Sequence, residues 1–285
     1  MFGKRNDGKE LKHASPIFRV MPGLMLERSD AQVYFNENIA IKRIEEYINS
    51  KLEENIKISI MDIVFASIVR MLAERPKLNR FVVNGRLYAR NKITLAITIK
   101  KSLTDDAEET TVKVDFDGTE NIFEVRDKLQ TLIAENKDSS ASNGTDKVAR
   151  FLSKIPSSVL KFVTAVIRHL DKHGHLPKGL IEISPFHTSA VVTNVGSIGI
   201  DSIYHHLYNF GTTSMFLAIG KKKKTYVFSE DEITQEKCIN LGFVGDERIC
   251  DGYYYAASFK SLNRFLTHPE LLEVGLESRN IDPEL

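Results

Sequence analysis

The sequence has few cysteines and no long apolar run. Its two cysteines, Cys238 and Cys250, are too few for the disulfide framework of a small secreted domain. The N-terminus carries no signal-peptide pattern, so the expected compartment is the cytoplasm. No stretch approaches the ~20 apolar residues that a transmembrane segment needs, and we therefore expect a soluble protein.

Net charge and internal repeats are also nearly absent. Thirty-nine Lys and Arg face thirty-eight Asp and Glu, for a formal charge of +1. No overall field therefore favours nucleic acid or an anionic membrane as a partner. The lack of a repeat of about 20 to 50 residues excludes solenoids and propellers. What is present is a chain of 285 residues, 42% hydrophobic, which can form one large domain or two modest ones.

Apolar periodicity in the first half predicts strands alternating with helices. Residues 30–39 alternate as a half-buried strand, and residues 41–52 repeat at helical spacing. Ser59, with Asp62 three residues later, is typical of a capping box, and that helix should end before Pro76. Asn84-Gly85 between apolar pairs predicts a tight β-hairpin.

The second half continues the pattern and then becomes rich in strands. Helices are predicted over residues 121–134 and 252–266, and an exposed loop over 136–147. From residue 188 onward β-like runs dominate. Interleaved and then clustered strands favour an α/β (α+β) fold, a mixed sheet with covering helices.

Three segments outside this core pattern receive their own predictions. Residues 1–16 are polar and basic and are interpreted as a flexible arm, and residues 276–285 as a C-terminal tail. Residues 157–172 form a basic amphipathic helix. Packing of its apolar face on the core is the commoner arrangement, while docking on a membrane surface is the alternative.

Four stretches together resemble the catalytic domain of the 2-oxo acid dehydrogenase acyltransferases, whose fold is shared with chloramphenicol acetyltransferase. The resemblance covers roughly residues 17–275. Its strongest element is the family pattern Asp-His-Arg-x-x-Asp-Gly followed by a helix and Pro-Glu-Leu. The matching stretches are "RPKLNRFVVNGRLYARNKITLAITIKK" (75–101), "SAVVTNVGSIG" (189–199), "FLAIGKK" (216–222) and "DERICDGYYYAASFKSLNRFLTHPELL" (246–272).

The resemblance implies a homotrimer with active sites at subunit interfaces. Acyl-CoA, or a lipoyl thioester supplied from outside the chain, would donate the acyl group to a small acceptor, without a metal ion. In the family a histidine removes the acceptor's proton, and a Ser or Thr hydroxyl donates to the oxyanion. Thr193 matches the hydroxyl position, and Asp251 matches a carboxylate with a structural supporting role.

Glu247 stands where the family has its catalytic histidine. Proton transfer from a thiol of pKa about 8.5 to an ordinary glutamate is uphill by about 5.7 kcal/mol, against about 2.7 kcal/mol for histidine. Burial in a dry channel would narrow this gap. Glu247 is therefore either an atypical base or a residue that lines a site without its base.

Other residues offer alternative chemistry. His205 and His206, or His187, are candidates for a replacement base, although lone histidines are more often structural. Cys250 has no evident activating partner and is expected to pack as a small apolar residue. The lysines of "GKKKK" (220–224) could attract coenzyme A phosphates or simply guard a solvated edge.

The sequence thus supports two hypotheses. The first is an acyltransferase that moves an acyl group from a thioester to a small acceptor, with Glu247 as the base and Thr193 as the oxyanion donor. The second is a catalytically inactive protein of the same fold that binds a metabolite or scaffolds a complex.

Overall fold

The computed structural model of the chain describes residues 5–100, 109–137, 143–228 and 233–285. Within these ranges strands and helices are interleaved along the sequence, as the periodicity predicts. The strands are β1 (Gly8–Glu10), β2 (Gln32–Ala40), β3 (Arg80–Val83), β4 (Arg86–Arg90), β5 (Ile93–Lys100), β6 (Glu109–Phe116), β7 (Ala190–Asn194), β8 (Met215–Phe228) and β9 (Ile233–Asp246).

The helices confirm most of the sequence-based boundaries. Ser59 and Asp62 form the predicted capping box, which starts a helix that ends before Pro76. The helices are α1 (Pro16–Leu24), α2 (Lys42–Glu53), α3 (Ile60–Glu74), α4 (Ile122–Lys137), α5 (Gly144–Leu152), α6 (Ser157–Lys172), α7 (Lys178–Ile183) and α8 (Gly252–Thr267). Short 3-10 turns, among them one at Val195–Ile198, connect several of these elements.

Two sheets organise the strands. The larger has six strands in the order β2-β9-β8-β7-β5-β6. In it β7 runs parallel to both β5 and β8, and the other pairs are antiparallel. The smaller sheet has the order β1-β4-β3, and its hairpin turns at Asn84-Gly85, where both residues have positive φ as a type I′ turn requires.

The main core lies between one face of the large sheet and helices α2, α3, α4 and α8. Helix α3 is buried along nearly its whole length, from Asp62 to Ala73. The first three residues of the central strand β7, Ala190 to Val192, are apolar and buried because this part of the strand is covered on both faces. Alternation along it sends Ala190 and Val192 into the main core, and Val191 to the opposite face.

The opposite face of the sheet is covered in part by the chain after β7. A Cβ on Gly242 would lie 2.7 Å from the carbonyl oxygen of Ile203, and one on Gly220 would meet the backbone nitrogen of Ser202. Glycine at these two strand positions therefore lets residues 200–210 approach the sheet closely. This arrangement fixes the histidines of that segment over the face that carries Val191.

The prediction of a flexible arm over residues 1–16 is wrong for the part that the structure describes. Strand β1 pairs with β4, and Leu11 and Ala14 are buried in the main core. The Arg5 side chain is also buried, with ion pairs to Asp7 at 2.8 Å and Asp171 at 3.0 Å. Composition could not reveal this, since Asp171 is distant in sequence.

The C-terminal tail is likewise anchored. Asp282 accepts two hydrogen bonds from Arg80, at 2.6 Å from Nε and 2.7 Å from Nη2, and both side chains are buried. Glu284 adds a third contact to the same guanidinium at 3.0 Å. Residues 276–285 are thus part of the folded domain, because a fully buried arginine needs these carboxylates for its charge.

The prediction of an exposed loop over 136–147 is wrong at both ends of that range. Residues 136 and 137 belong to α4, and α5 begins at Gly144 with a capping box between Asn143 and Asp146. Polar helix-capping residues were mistaken for loop residues, since the same types favour both. The central part, 138–142, lies outside the described residues.

Helix α6 has the predicted bounds but not the favoured packing. On its apolar face Val159 and Val166 are 48% and 40% exposed, Val163 and Leu170 are half-buried, and none of the four belongs to the main core. Phe162 beside this face is 69% exposed, and the buried residue of the helix is Asp171. The expectation that this face packs on the core is therefore wrong within the protomer. In the described ranges no helix combines the length and apolar character needed to cross a membrane.

Candidate active site

Glu247 projects from a rigid turn at the end of β9. Its neighbours Asp246 and Arg248 are buried and paired, with the guanidinium 2.7 and 2.8 Å from the carboxylate oxygens. The Glu247 backbone donates to the carbonyl of Ala31 at 2.8 Å. The Glu247 carboxylate itself is exposed and makes no hydrogen bond or ion pair with another described residue. The backbone is fixed on both sides while the carboxylate faces outward.

Arg248 therefore does not act on Glu247 through direct contact. Its third nitrogen, Nη1, donates to the carbonyl of Met25 at 2.9 Å, and Arg28 approaches Asp246 at 3.4 Å from the other side. Two buried guanidinium groups thus share one buried carboxylate. The function of this cluster is to hold the turn that presents Glu247.

Asp251 starts the helix after this turn. Its carboxylate accepts a hydrogen bond from the backbone nitrogen of Tyr254 at 2.8 Å and caps α8. Such a cap fixes the direction in which the helix leaves the turn. The position fits the structural supporting role expected of Asp251.

Thr193 lies on the sheet face opposite the main core. It is half-buried near the end of β7, on the same side as Val191. Its hydroxyl has no hydrogen-bond partner among the described residues, so that it is free to donate to a ligand. This is the property that an oxyanion donor needs.

Within one protomer Thr193 and Glu247 are far apart. Thr193 lies opposite Ala218, which lies opposite Gly242. Glu247 is five residues further along β9 than Gly242 and two strands across from β7, which separates the two side chains by about 16 Å along the strands and about 10 Å across them. The two cannot act on one acyl group in a single protomer.

His205 lies over the same sheet face as Thr193. Its ring stacks on Phe216 with centroids 4.3 Å apart, and its Nδ1 lies 2.8 Å from the carbonyl oxygen of His206. Phe216 is opposite Val191, two residues before Thr193 and therefore about 7 Å along the strand. In one protomer His205 is thus closer in register to Thr193 than Glu247 is, whereas the His206 side chain is exposed.

His187 lies in a buried polar cluster and not on this face. Its ring contacts the Asp171 carboxylate at 3.2 Å through Nε2 and the Ser184 hydroxyl at 2.8 Å through Nδ1. Burial lowers the pKa of His187, although the neighbouring Asp171 acts in the opposite direction. The imidazole is therefore a neutral structural group that links α6 to the segment before β7.

The remaining sequence candidates have structural environments. Cys250 is fully buried, and burial raises the pKa of its thiol, as expected for a residue that packs as an apolar group. In the lysine run, Lys222 pairs with Glu45 at 2.8 Å and Lys223 with Asp201 at 3.1 Å. Two of the four lysines in this run are therefore held in surface ion pairs.

Comparison with known proteins places this geometry in context. The family model described as 2-oxoacid dehydrogenases acyltransferase (catalytic domain) matches residues 186–274, the segment that contains both Thr193 and Glu247. A probable dihydrolipoamide acetyltransferase from Listeria monocytogenes superposes with a TM-score of 0.56 and 14% identity, over 87% of this chain and 91% of that chain. This chain has the dihydrolipoamide acetyltransferase fold.

Other solved structures with this acyltransferase fold agree. Dihydrolipoamide acetyltransferase from Azotobacter vinelandii gives a TM-score of 0.58 at 13% identity, over 88% of this chain and 89% of that one. A chloramphenicol acetyltransferase gives 0.55 at 10% identity, over 91% and 99%. No curated protein sequence matches the chain. The resemblance and fold class inferred from the sequence are confirmed.

The structure also shows features that the sequence did not indicate. Arg28 is buried beside the candidate turn, and two cavities lie on either side of residues 209 and 210. No motif in the sequence marks Arg28 as part of the site. The first cavity arises from packing between α5, α6 and α7, of which sequence analysis identified only α6, and the second lies between α6, the end of α1 and the β3–β4 hairpin.

Proposed function

We propose that the protein is an acyltransferase that moves an acyl group from a thioester, either acyl-CoA or an external lipoyl thioester, to a small acceptor. The observation that supports this most is the coincidence of the acyltransferase fold with two available polar groups at the family's motif positions. These are the hydroxyl of Thr193, which has no hydrogen-bond partner in the described part of the chain, and the outward-facing carboxylate of Glu247.

We further propose that the active unit is a homotrimer. Because Glu247 and Thr193 are separated by two strands and five residues in one protomer, they can meet only if they come from different copies. A cyclic arrangement lets each copy give its carboxylate to one neighbour and its hydroxyl to the other. Three equivalent sites then form from one kind of interface.

In the proposed reaction Glu247 accepts the proton of the acceptor's thiol, hydroxyl or amine. The acceptor atom attacks the thioester carbonyl carbon, and the carbonyl electron pair moves to oxygen, where the hydroxyl of Thr193 from the neighbouring copy donates a hydrogen bond. The intermediate collapses by breaking the carbon–sulfur bond. The proton held by Glu247 passes to the leaving thiolate, so that acyl acceptor and free thiol are the products.

The surrounding residues position these groups. The Asp246–Arg248 pair and the backbone bond to Ala31 fix the turn, and the Asp251 cap fixes α8 behind it. A neighbouring copy that covers Glu247 would remove water from around the carboxylate and strengthen it as a base. If Glu247 does not serve, His205 is the alternative base, since its ring already lies on the Thr193 face.

One observation favours a second candidate function. Glu247 replaces the family's histidine, and in the protomer its carboxylate is exposed with no group that activates it. A protein that retains the fold and binds a metabolite or partner without chemistry is consistent with this arrangement. The acyltransferase would release free thiol from acyl-CoA, whereas the binding protein would not.

The deciding experiment measures free thiol release from acyl-CoA with a panel of small thiols, alcohols and amines. The proposed function predicts release above background that is lost in Glu247→Gln. A matched control is Glu277→Gln, which removes an exposed carboxylate far along the chain from the motif. Binding of acyl-CoA without any turnover, equal in wild type and Glu247→Gln, would instead support the binding protein.

A further inference from the structure

A large apolar cavity lies between α5, α6 and α7. Its volume is about 710 Å³, within the range of sites that bind small organic molecules. Aliphatic and aromatic side chains from the three helices and from the segments before and after β7 line most of it. Among these are Val148, Leu152, Ala165, Leu180, Phe186 and Phe210.

A second cavity of about 490 Å³ adjoins the first. The two share Arg168, Asn209 and Phe210 as lining residues, so that together they form one groove. The second cavity is also lined by Arg248, the residue that follows Glu247. The groove therefore runs from an apolar end beneath α5 and α7 toward the turn that carries the proposed base.

Positive charge is available where the two cavities meet. Arg168 and Lys172 line the second cavity, and neither makes a hydrogen bond or ion pair within the described part of the chain. The two other cations there, Arg28 and Arg248, are already held by Asp246 and by backbone carbonyls. A ligand anion would thus meet the free guanidinium of Arg168.

The acidic residues of this groove offset only part of that charge. Asp171 is buried and occupied by Arg5 and His187, at 3.0 and 3.2 Å. Glu27 also lines the second cavity, is exposed and makes no ion pair with a described residue, so one free carboxylate faces the two free cations Arg168 and Lys172. The junction of the cavities is accordingly suited to an anion, while the larger cavity is suited to hydrocarbon.

We propose that this groove binds a straight apolar chain that carries an anionic group at one end, with the chain beneath α5 and α7 and the anion at Arg168. A fatty acid has both features. An acyl-CoA shares the apolar chain, but its thioester is neutral and its negative charge lies on the phosphates of coenzyme A. In the second case the inference rests on the proposed function and names its substrate class, a long acyl group delivered toward Glu247.

Binding is testable without turnover because the chain contains no tryptophan. In a Phe210→Trp variant, the fluorescence of the single indole at the junction of the cavities reports binding of saturated fatty acids of six to twelve carbons, added below their critical micelle concentrations. Each added methylene should tighten binding about fourfold until the cavity is full. Absence of saturable binding, or an affinity independent of chain length, would overturn the proposal.

Two pairs of variants in this reporter background locate the ligand. Ala165→Phe should fill the cavity and weaken binding at least tenfold, whereas Ser158→Phe, at an exposed position of the same helix that does not line it, should not. Arg168→Gln should weaken fatty acids but not the corresponding alcohols, and Lys154→Gln should affect neither. Equal effects within either pair would refute the placement.

The same titration with acyl-CoA separates this proposal from the acyltransferase assignment. Chain-dependent binding without thiol release would leave the groove in place and refute transfer. Thiol release that is fastest for acetyl groups and unaffected by Ala165→Phe would support transfer and refute the groove as the site of the acyl chain.

Discussion

Replacing Glu247 by histidine should increase the rate of acyl transfer to a thiol acceptor. The side chain is exposed and makes no hydrogen bond or ion pair with a described residue, and the backbone at this position is fixed by Ala31 and by the Asp246–Arg248 pair. The new imidazole can therefore occupy the position without disturbing the turn. The free energy of unfolding should change by no more than about 0.5 kcal/mol, as for other exposed substitutions.

The size of the increase follows from ordinary side-chain basicities. A histidine is about 2.2 pKa units more basic than a glutamate, which is worth about 3 kcal/mol if the proton is completely transferred. With the proton about half transferred in the transition state, the gain is about tenfold. Dehydration of Glu247 by a neighbouring copy would reduce that figure, since it brings the two bases closer together.

The assay is thiol release from acyl-CoA at saturating acceptor, for wild type, Glu247→His and Glu247→Gln. We expect the order His, then wild type, then Gln, with Gln lower than wild type by about 10²-fold or more. The His variant should also lose activity as the pH falls below about 6.5, where imidazole becomes protonated. If Gln retains wild-type activity, Glu247 is not the base, and His205→Gln becomes the informative variant.

Three further predictions concern stability and surface binding. Asp282→Asn should lower the free energy of unfolding by about 3 kcal/mol in denaturant titration, because it leaves the buried Arg80 without its main partner. The control Glu277→Gln should have no effect. Equal unfolding midpoints for the two variants would show that the C-terminal segment does not stabilise the domain. The free energy of unfolding should decrease below pH ~6.5 by up to about 1.4 kcal/mol per pH unit, since burial lowers the pKa of His187 and unfolding lets this histidine take up a proton. His187→Gln should flatten this pH dependence. A stability profile unchanged by that variant would refute the role of His187. The exposed apolar face of residues 157–172 should bind vesicles containing anionic lipid in flotation assays, and flotation undiminished by Phe162→Ser would contradict a role for this face.

Local patterns predicted most of the fold. The capping box at Ser59 and the Asn84-Gly85 hairpin are determined by neighbours in sequence, and both were located correctly. The motif at residues 246–252 indicated the fold through its resemblance to the acyltransferase family. These signals depend on residues close together in the sequence and can therefore be recognised in a single sequence.

What the sequence could not predict depends on distant partners. The N-terminal residues looked like a solvated arm because the partner of Arg5 is Asp171, and the C-terminal tail looked free because the partner of Asp282 is Arg80. Helix α6 was predicted in its bounds, but which face is covered depends on packing that periodicity does not determine. The groove is a space between helices and has no signature of its own.

The candidate site shows the same division. Motif matching identified Thr193 and Glu247 as residues, and strand register was needed to show that they lie apart in one protomer. His205 and His187 were equal candidates in the sequence. The structure distinguishes them, since one stacks on the Thr193 face and the other is buried with Asp171.

The most direct test of the account is complementation between two inactive variants. Thr193→Val lacks the oxyanion donor and Glu247→Gln lacks the base, and each alone should lose about 10²-fold or more in thiol release. If the site is shared between copies of a trimer, refolding the two variants together in equal amounts should restore about a quarter of wild-type activity, since one interface in four combines both intact residues. Activity that stays at the level of the separate variants in such mixed oligomers would contradict a site built from Thr193 and Glu247 of different copies.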